Sequence, residues 1–324
     1  MAKVLGMGNA LVDIMTALES DKTLDDFSLP KGSMQLVDHN YSNKVNEGTE
    51  GMEKQIASGG SAANTIHGLA NMGVETGFVG KVGDDEFGRF FSEDLKKSNI
   101  EPKLLKSDTA TGKAMALISP DTERTFATFL GAAVELSVDD LKPDHFEGYD
   151  YFHIEGYLVQ NHALIERAVK LAREKGLKVS LDMASYNVVE ENVDFLRKIL
   201  EKHVDIVFAN EEEAKAFTGK EPKEALDEFA GLCEIAVVKI GKNGSLVKSG
   251  EEFYSVGVIE AKSNDTTGAG DLYASGFLYG LINGLSLDKC GYIGSILSGK
   301  VIEMIGPKIN DEKWLEVREM IWNL

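Results

Sequence analysis

From Tyr149 to Lys239 the sequence keeps one rhythm, and that rhythm restricts the fold more than any other feature. Short apolar, β-branched runs near 150–154, 177–182, 204–208 and 235–239 alternate with stretches of helical spacing near 161–175, 190–202 and 211–230. Such alternation implies a mostly parallel sheet covered by helices on both faces. Ligands of these sheets gather at the carboxyl ends of the strands. Glu155, Asp182 and Asn210 each close or directly follow a predicted strand, so they share one rim.

Before Tyr149 the pattern is less regular. Val4 to Met7 reads as a buried strand ending at Gly8-Asn9, and Ala10 to Ile14 alternates, with Asp13 among apolar neighbours. Residues 19–31 are polar and broken by Pro30, which predicts a loop; 33–37 predicts a short strand, and 40–54 is polar again. A helix is predicted near 86–98. Thr111–Ile118 and Thr125–Leu130 read as a hairpin across the turn residues Ser119 to Glu123. After Lys239, 244–248 and 252–256 read as a second hairpin, and helices are predicted over 268–283, 286–305 and 311–323.

The formal charge of −19, from 34 basic and 53 acidic residues, argues against nucleic acid or an anionic membrane as partner, because both need a basic face. Cys233 and Cys290 lie far apart with no metal-type spacing and read as reduced structural thiols. No run approaches the length of a membrane span and the N-terminal apolar run is short, so the expected location is cytoplasmic. The histidines are scattered, and His153 falls inside a predicted buried strand. P-loop, zinc-protease and nucleophile-elbow spacings are all missing.

Chemistry concentrates in two glycine-rich entries to helices. Asp265-Thr266-Thr267-Gly268-Ala269-Gly270-Asp271 runs into a segment with apolar residues at helical spacing. Small residues let backbone approach a ligand, and the unpaired amides of a first helical turn hold an anion such as phosphate. Asp271 in that turn is either a base or simply an acidic residue favoured at a helix N-terminus. The second entry is Ser58-Gly59-Gly60-Ser61-Ala62-Ala63-Asn64, with Ser61 the natural N-cap. Gly6-x-Gly8 invites a dinucleotide-binding reading, but Leu11 stands where the third glycine belongs.

The string DTTGAGD resembles the C-terminal signature of the ribokinase-like (PfkB) family of sugar and nucleoside kinases. Gly59-Gly60-x-x-x-Asn64, Gly73 and Phe78 to Gly88 resemble its N-terminal part, so two independent motifs occur in the right order. Glu123 to Ala133 looks like the lid hairpin of adenosine kinases and related bacterial sugar kinases. Asn210-Glu211-Glu212-Glu213 resembles the family's Asn-x-x-Glu motif, and Lys239 to Gly244 its Gly-x-x-Gly turn beside the nucleotide. The resemblance spans Gly8 to about Gly306.

It implies one α/β domain over 1–324, a three-layer α/β/α ribokinase-like fold with a small β lid from segments near 10–15, 33–38 and 111–130. The implied reaction is transfer of the ATP γ-phosphate to a primary hydroxyl of a ribonucleoside, adenosine first, or of a sugar. Asp271 is then the base, Gly268, Ala269 and Gly270 form the anion hole, and Arg124 is the lid donor to phosphate. Asp13, Gly59, Gly60, Asn64 and Glu155 are the implied acceptor-binding set; Lys239, Gly241, Gly244, Thr266 and Thr267 the nucleotide set. Asn210 and Glu213 would organise Mg²⁺ through water, and Asp265 with Thr267 a monovalent cation such as K⁺. Two residues divide the acceptor readings: Ala10 replaces a frequent adenosine-kinase proline, and Glu155 falls where ribokinases place a sugar-contacting glutamate. The expected assembly is a monomer or a lid-mediated homodimer. Alternatives of another class are an NAD-dependent oxidoreductase built on Gly6-x-Gly8 and a non-catalytic nucleotide sensor.

Overall fold

The computed structural model describes residues 2–121 and 123–324; Met1 and the turn residue Thr122 lie outside the described residues. Nine strands form the main sheet: β1 (Val4–Met7), β5 (Thr76–Gly83), β6 (Ile100–Ser107), β9 (Tyr151–Glu155), β10 (Lys178–Asp182), β11 (Ile206–Asn210), β12 (Ile235–Lys239), β13 (Ser245–Ser249) and β14 (Glu252–Val256). Their order is β14-β13-β12-β11-β10-β9-β1-β5-β6, parallel except for the β12–β13–β14 meander at one edge. The rhythm predicted from Tyr149 onward is therefore borne out.

The inner strands β1, β5, β9, β10, β11 and β12 bury both faces, as their near-continuous apolar runs require. Leu5, Met7, Val207, Ala209, Ala236 and Val238 enter one core, beneath α5 (His162–Glu174), α6 (Tyr186–Glu191), α7 (Val193–His203), α8 (Glu211–Thr218) and α9 (Pro222–Ala230). Their alternating neighbours Val4, Ile206, Phe208, Ile235 and Val237 enter the other, with α3 (Ser61–Asn71), α4 (Glu86–Lys97), α10 (Ala269–Ile282) and α11 (Leu287–Val301). The last helix, α12 (Asp311–Trp322), packs Trp314 and Val317 on α11. His153 is fully buried as expected; it shares a hydrogen bond with Ser180, and burial holds its pKa down at about 4. Cys233 and Cys290 are free and buried. No helix among the described residues is long and apolar enough to cross a membrane.

A second sheet of five strands carries β2 (Leu11–Ala17), β3 (Met34–Leu36), β4 (Lys54–Gly59), β7 (Gly112–Ile118) and β8 (Arg124–Phe129), in the order β3-β8-β7-β2-β4. The segments near 10–15, 33–38 and 111–130 all contribute strands to this sheet, and β4 joins them from residues for which no strand is predicted. Pairing of Asp13 with Ala114 and Ala57, and of Ala114 with Thr128, sets one face toward the main sheet's carboxyl end. The opposite face, with Val12, Ile14, Met115, Leu117 and Ala127, is covered by α1 (Lys22–Asp26) and α2 (His39–Gly48) through Leu24, Phe27 and Val45. A lid-mediated homodimer would therefore have to pair through an edge, β3 or β4.

The chain proceeds from β1 outward to β5 and β6, then returns to β9 and builds the other way. The crevice of a doubly wound sheet opens where direction reverses. Here that point lies between β1 and β9, directly below the inner face of the small sheet.

Candidate active site

A cleft of about 1510 Å³ opens between the two sheets. Several helix N-termini face it, those of α3 and α10 from the two glycine-rich motifs among them. The cap of α3 is Gly60 rather than the expected Ser61; its φ is +100°, and a Cβ there would lie 2.1 Å from the Asn9 carbonyl oxygen, so only glycine fits. Glycine has no side chain to cap the helix. Glu155, at the end of β9, supplies the acceptor instead: one carboxylate oxygen takes the Ala62 N–H at 2.9 Å, the other the backbone and side-chain N–H groups of Asn9 at 2.9 and 2.8 Å. Burial pushes the Glu155 pKa up to about 7 against these bonds.

The N-terminus of α10 is left open. Its cap, Gly268, has φ +76° and lies against Pro307, and no described side chain caps it. Thr266 accepts the Ala269 N–H, whereas the Gly270 and Asp271 amides have no acceptor among the described residues. Thr266 to Asp271 line the cleft. Free first-turn amides on a helix dipole form an anion site. Lys239 at the end of β12 adds a charge, its Nζ 3.0 Å from where a Gly270 Cβ would be. Burial opposes that charge, but Asp182, 2.9 Å away, and then Glu213 hold the Lys239 pKa above its ordinary value.

Asp271 follows this amide turn and reaches back to α3. One oxygen accepts from Ser61 Oγ at 2.7 Å and the other from Asn64 Nδ2 at 2.9 Å. Burial, opposed by those two bonds, lifts its pKa to about 6. Asp13, on the inner face of β2, lies over the α-carbon of Gly59; burial raises it to about 7, with Lys308 opposing. Asp13, Gly60, Asn64 and Asp271 line the cleft together, and Gly59 sits behind Asp13.

Gly241 and Gly244 turn the chain after β12 at the far end of the cleft, with φ +55° and +94°. Asn210 and Glu213 lie between. Asn210 caps α8, its Oδ1 accepting from Glu212 and Glu213 amides at 2.9 Å, while Glu213 accepts from Asn210 N and Nδ2, each at 2.7 Å. That reciprocal box uses much of their polar capacity, so the remaining carboxylate lone pairs suit magnesium-bound water better than the ion itself. No described cluster of three or more metal-type side chains is present. Asp265 and Thr267 face a different cation: Arg124 pairs with Asp265, and its Nη1 donates to Thr267 Oγ1 at 2.7 Å. Asp265 also accepts from the Thr267 and Gly306 amides, which leaves little for a monovalent ion.

Most of the predicted site residues thus line one cleft; Gly59, Arg124 and Asp265 are not in its lining and adjoin it through Asp13 and Thr267. Asp182 stands on the predicted rim by its position at a strand end but without a role, and Lys308 is not singled out from sequence. Ser61 was read as a cap because its neighbour's unusual φ is invisible in sequence, and Lys308 has no local pattern.

The family model described as pfkB family carbohydrate kinase matches residues 32–314. The crystal structure of adenosine kinase from Sinorhizobium meliloti is 33% identical, with a TM-score of 0.87, covering 98% of this chain and 99% of that one. A 5-dehydro-2-deoxygluconokinase of Shouchella clausii is 31% identical over 88% of this chain and 91% of its own length. An uncharacterized sugar kinase of Archaeoglobus fulgidus is 28% identical over 74% of this chain and 96% of its own. With one family spanning most of the sequence and a relative matching nearly all of it, the chain belongs to the pfkB carbohydrate kinase family and is a phosphotransferase.

Proposed function

We propose that this kinase phosphorylates the primary hydroxyl of a ribonucleoside, adenosine first. Kinases of the family use ATP, generally with Mg²⁺. The observation that carries the acceptor choice is the cleft wall beside Asp13, where Leu11, Met34, Leu36, Ala114 and Leu130 present apolar surface. A purine gains from such a wall, whereas a free sugar would press unpaired hydroxyls against it. Glu155 supports the same reading, since its oxygens already serve Asn9 and Ala62. A sugar acid would need a cation for its carboxylate, but Lys308 is held by Asp94 and Ser58, and Arg124 is the donor that this reading gives to the phosphate.

In this reading Asp13 and Asn64 hold the ribose diol and leave the primary hydroxyl beside Asp271. Asp271 takes the hydroxyl proton as the oxygen bonds to the γ-phosphorus and the bond to ADP breaks. The Gly270 and Asp271 amides and Lys239 stabilise charge on the transferring group, and Arg124 leaves Asp265 to join them. Bound Mg²⁺ would screen the phosphates, with Asn210 and Glu213 ordering its waters. The sheet closing over the acceptor keeps water from competing. ADP release with adenosine, other nucleosides, ribose, fructose and 5-dehydro-2-deoxygluconate tests the assignment. Adenosine turnover is expected to exceed the rest; turnover confined to a sugar would reject it.

Two further outcomes follow. A base must be ionised, so kcat/KM should rise with pH through about 6, the Asp271 value, with Asp13 ionising near 7 extending the limb. A profile flat from pH 5 to 8 would remove both residues from these roles. Glu155→Gln presents a donor where Asn9 or Ala62 also donates, and leaving such a buried group unsatisfied costs about 1–3 kcal/mol. Its melting temperature should therefore fall; an unchanged melting temperature with only the acceptor KM raised would make Glu155 a substrate ligand.

A further inference from the structure

Behind the acceptor end lies a buried polar cluster that the phosphoryl transfer itself does not use. Lys308 Nζ donates to Ser58 Oγ at 2.8 Å and Asp94 Oδ2 at 2.9 Å, and lies 3.0 Å from His67 Nε2. Ser58 also meets His67 at 2.7 Å, and its amide donates to Asp94 at 3.2 Å. Four segments meet here: β4 through Ser58, α3 through His67, α4 through Asp94, and the loop after α11 through Lys308. Ser58 and His67 are buried.

The location gives the cluster its consequence. Ser58 is followed at once by Gly59, on which the Asp13 carboxylate rests, then by Gly60, Ser61 and Asn64. Lys308 follows Gly306, whose amide binds Asp265, and Pro307, which packs on Gly268. One ammonium therefore joins the strand behind the acceptor site to the loop behind the anion hole. We propose that Lys308 is a positioning residue for acceptor binding: its half-buried ammonium pins the end of β4, and with it Gly59 beside Asp13, to α3, α4 and the anion-hole loop. The proposal rests on the acceptor-binding set given above.

Lys308 also acts on Asp13 at a distance. The charges facing Asp13 are Lys308, Asp271 and Arg124; of these Lys308 does most to oppose the rise that burial causes. His67 stays neutral, its pKa depressed to about 3 by burial and then by Lys308 itself, so it accepts from the ammonium rather than repelling it.

Hydrogen exchange without ligands reads the pin directly. In Lys308→Met the amides of residues 54–64 should exchange at least tenfold faster, with the strands of the opposite half of the main sheet unchanged. Kinetics reads the consequence: the acceptor KM rises tenfold or more, the ATP KM stays within twofold, and the acidic limb of kcat/KM for the acceptor moves to higher pH. Lys308→Arg, which keeps the charge, should recover the acceptor KM. If Lys308→Met does not fold, Asp94→Asn weakens the same cluster and is read by exchange over 54–64 and by the acceptor KM, while the acidic limb stays in place because Lys308 keeps its charge. Wild-type exchange over 54–64, or equal rises in both KM values, overturns the pin. Wild-type turnover is measured first: failure with adenosine counts against the acceptor assignment alone, and the variant is then read with whichever sugar is turned over. If no acceptor is turned over, exchange over 54–64 decides.

Discussion

Asp271→Asn lowers kcat by about 10²–10⁴-fold, the usual contribution of a positioned base, while the protein stays folded. The carboxylate sits where α10 begins, beside the free amides of its first turn and between Ser61 and Asn64. Asparagine keeps the shape but cannot take the hydroxyl proton, so both KM values should change little while kcat collapses.

The fold tolerates the change for two reasons. Asn64 Oδ1 is buried and has no partner among the described residues, so the Asn64 amide can rotate and accept from the new side-chain NH₂, and Ser61 can still donate to the remaining oxygen. Burial has also raised the Asp271 pKa from 3.8 to about 6. An acid whose folded pKa exceeds its unfolded one binds protons more tightly when folded, so its ionised form weighs against folding once the pH passes the folded value. Asparagine removes that penalty at neutral pH, and the melting temperature should equal or exceed the wild type's. Turnover within threefold of the wild type would take the role from Asp271.

Much of this site was legible because its demands are local. An anion hole needs small residues before a helix, and Gly268 to Asp271 declare that in consecutive letters. The main sheet was legible because strand segments buried on both faces must be apolar throughout, as Ile206 to Ala209 and Ile235 to Val238 are. The small sheet was less so. β4, Lys54–Gly59, lies along an edge, exposes Ile56, its one large apolar residue, and buries only Ser58 and Gly59, so it carries no apolar alternation. α2 buries only Ser42 and Val45 of its length, although Asp38 caps it through Tyr41, so its polar composition reads as loop. Glu155 was legible as a residue of the rim but not as the cap of another element, because that depends on Gly60 lacking a side chain 95 positions earlier in the chain. The expected site for a monovalent cation met a similar surprise: the partner of Asp265 is Arg124 on β8, a residue whose motif points to phosphate and not to this carboxylate.

Arg124→Ala lowers turnover by about 10²–10³-fold, the loss typical of removing a donor aimed at developing charge. In the structure its guanidinium is held by Asp265 and Thr267, both buried or half-buried and next to the open end of α10. A phosphate arriving there offers the fork of N–H groups a second anion, and exchanging one for the other requires only a short swing of the side chain. Truncation has a separate effect on stability. Breaking a buried pair by removing one partner costs about 3–5 kcal/mol in general, but Asp265 retains the Thr267 and Gly306 amides, which places this case at the low end. The two effects separate in the double variant Arg124→Ala with Asp265→Asn. Asparagine no longer carries a stranded charge, so the melting temperature should recover toward the wild type while turnover stays low. If turnover recovers together with the melting temperature, Arg124 is a structural partner of Asp265 alone; if it does not, the arginine that holds the lid to the anion-hole loop is also the one that meets the phosphate.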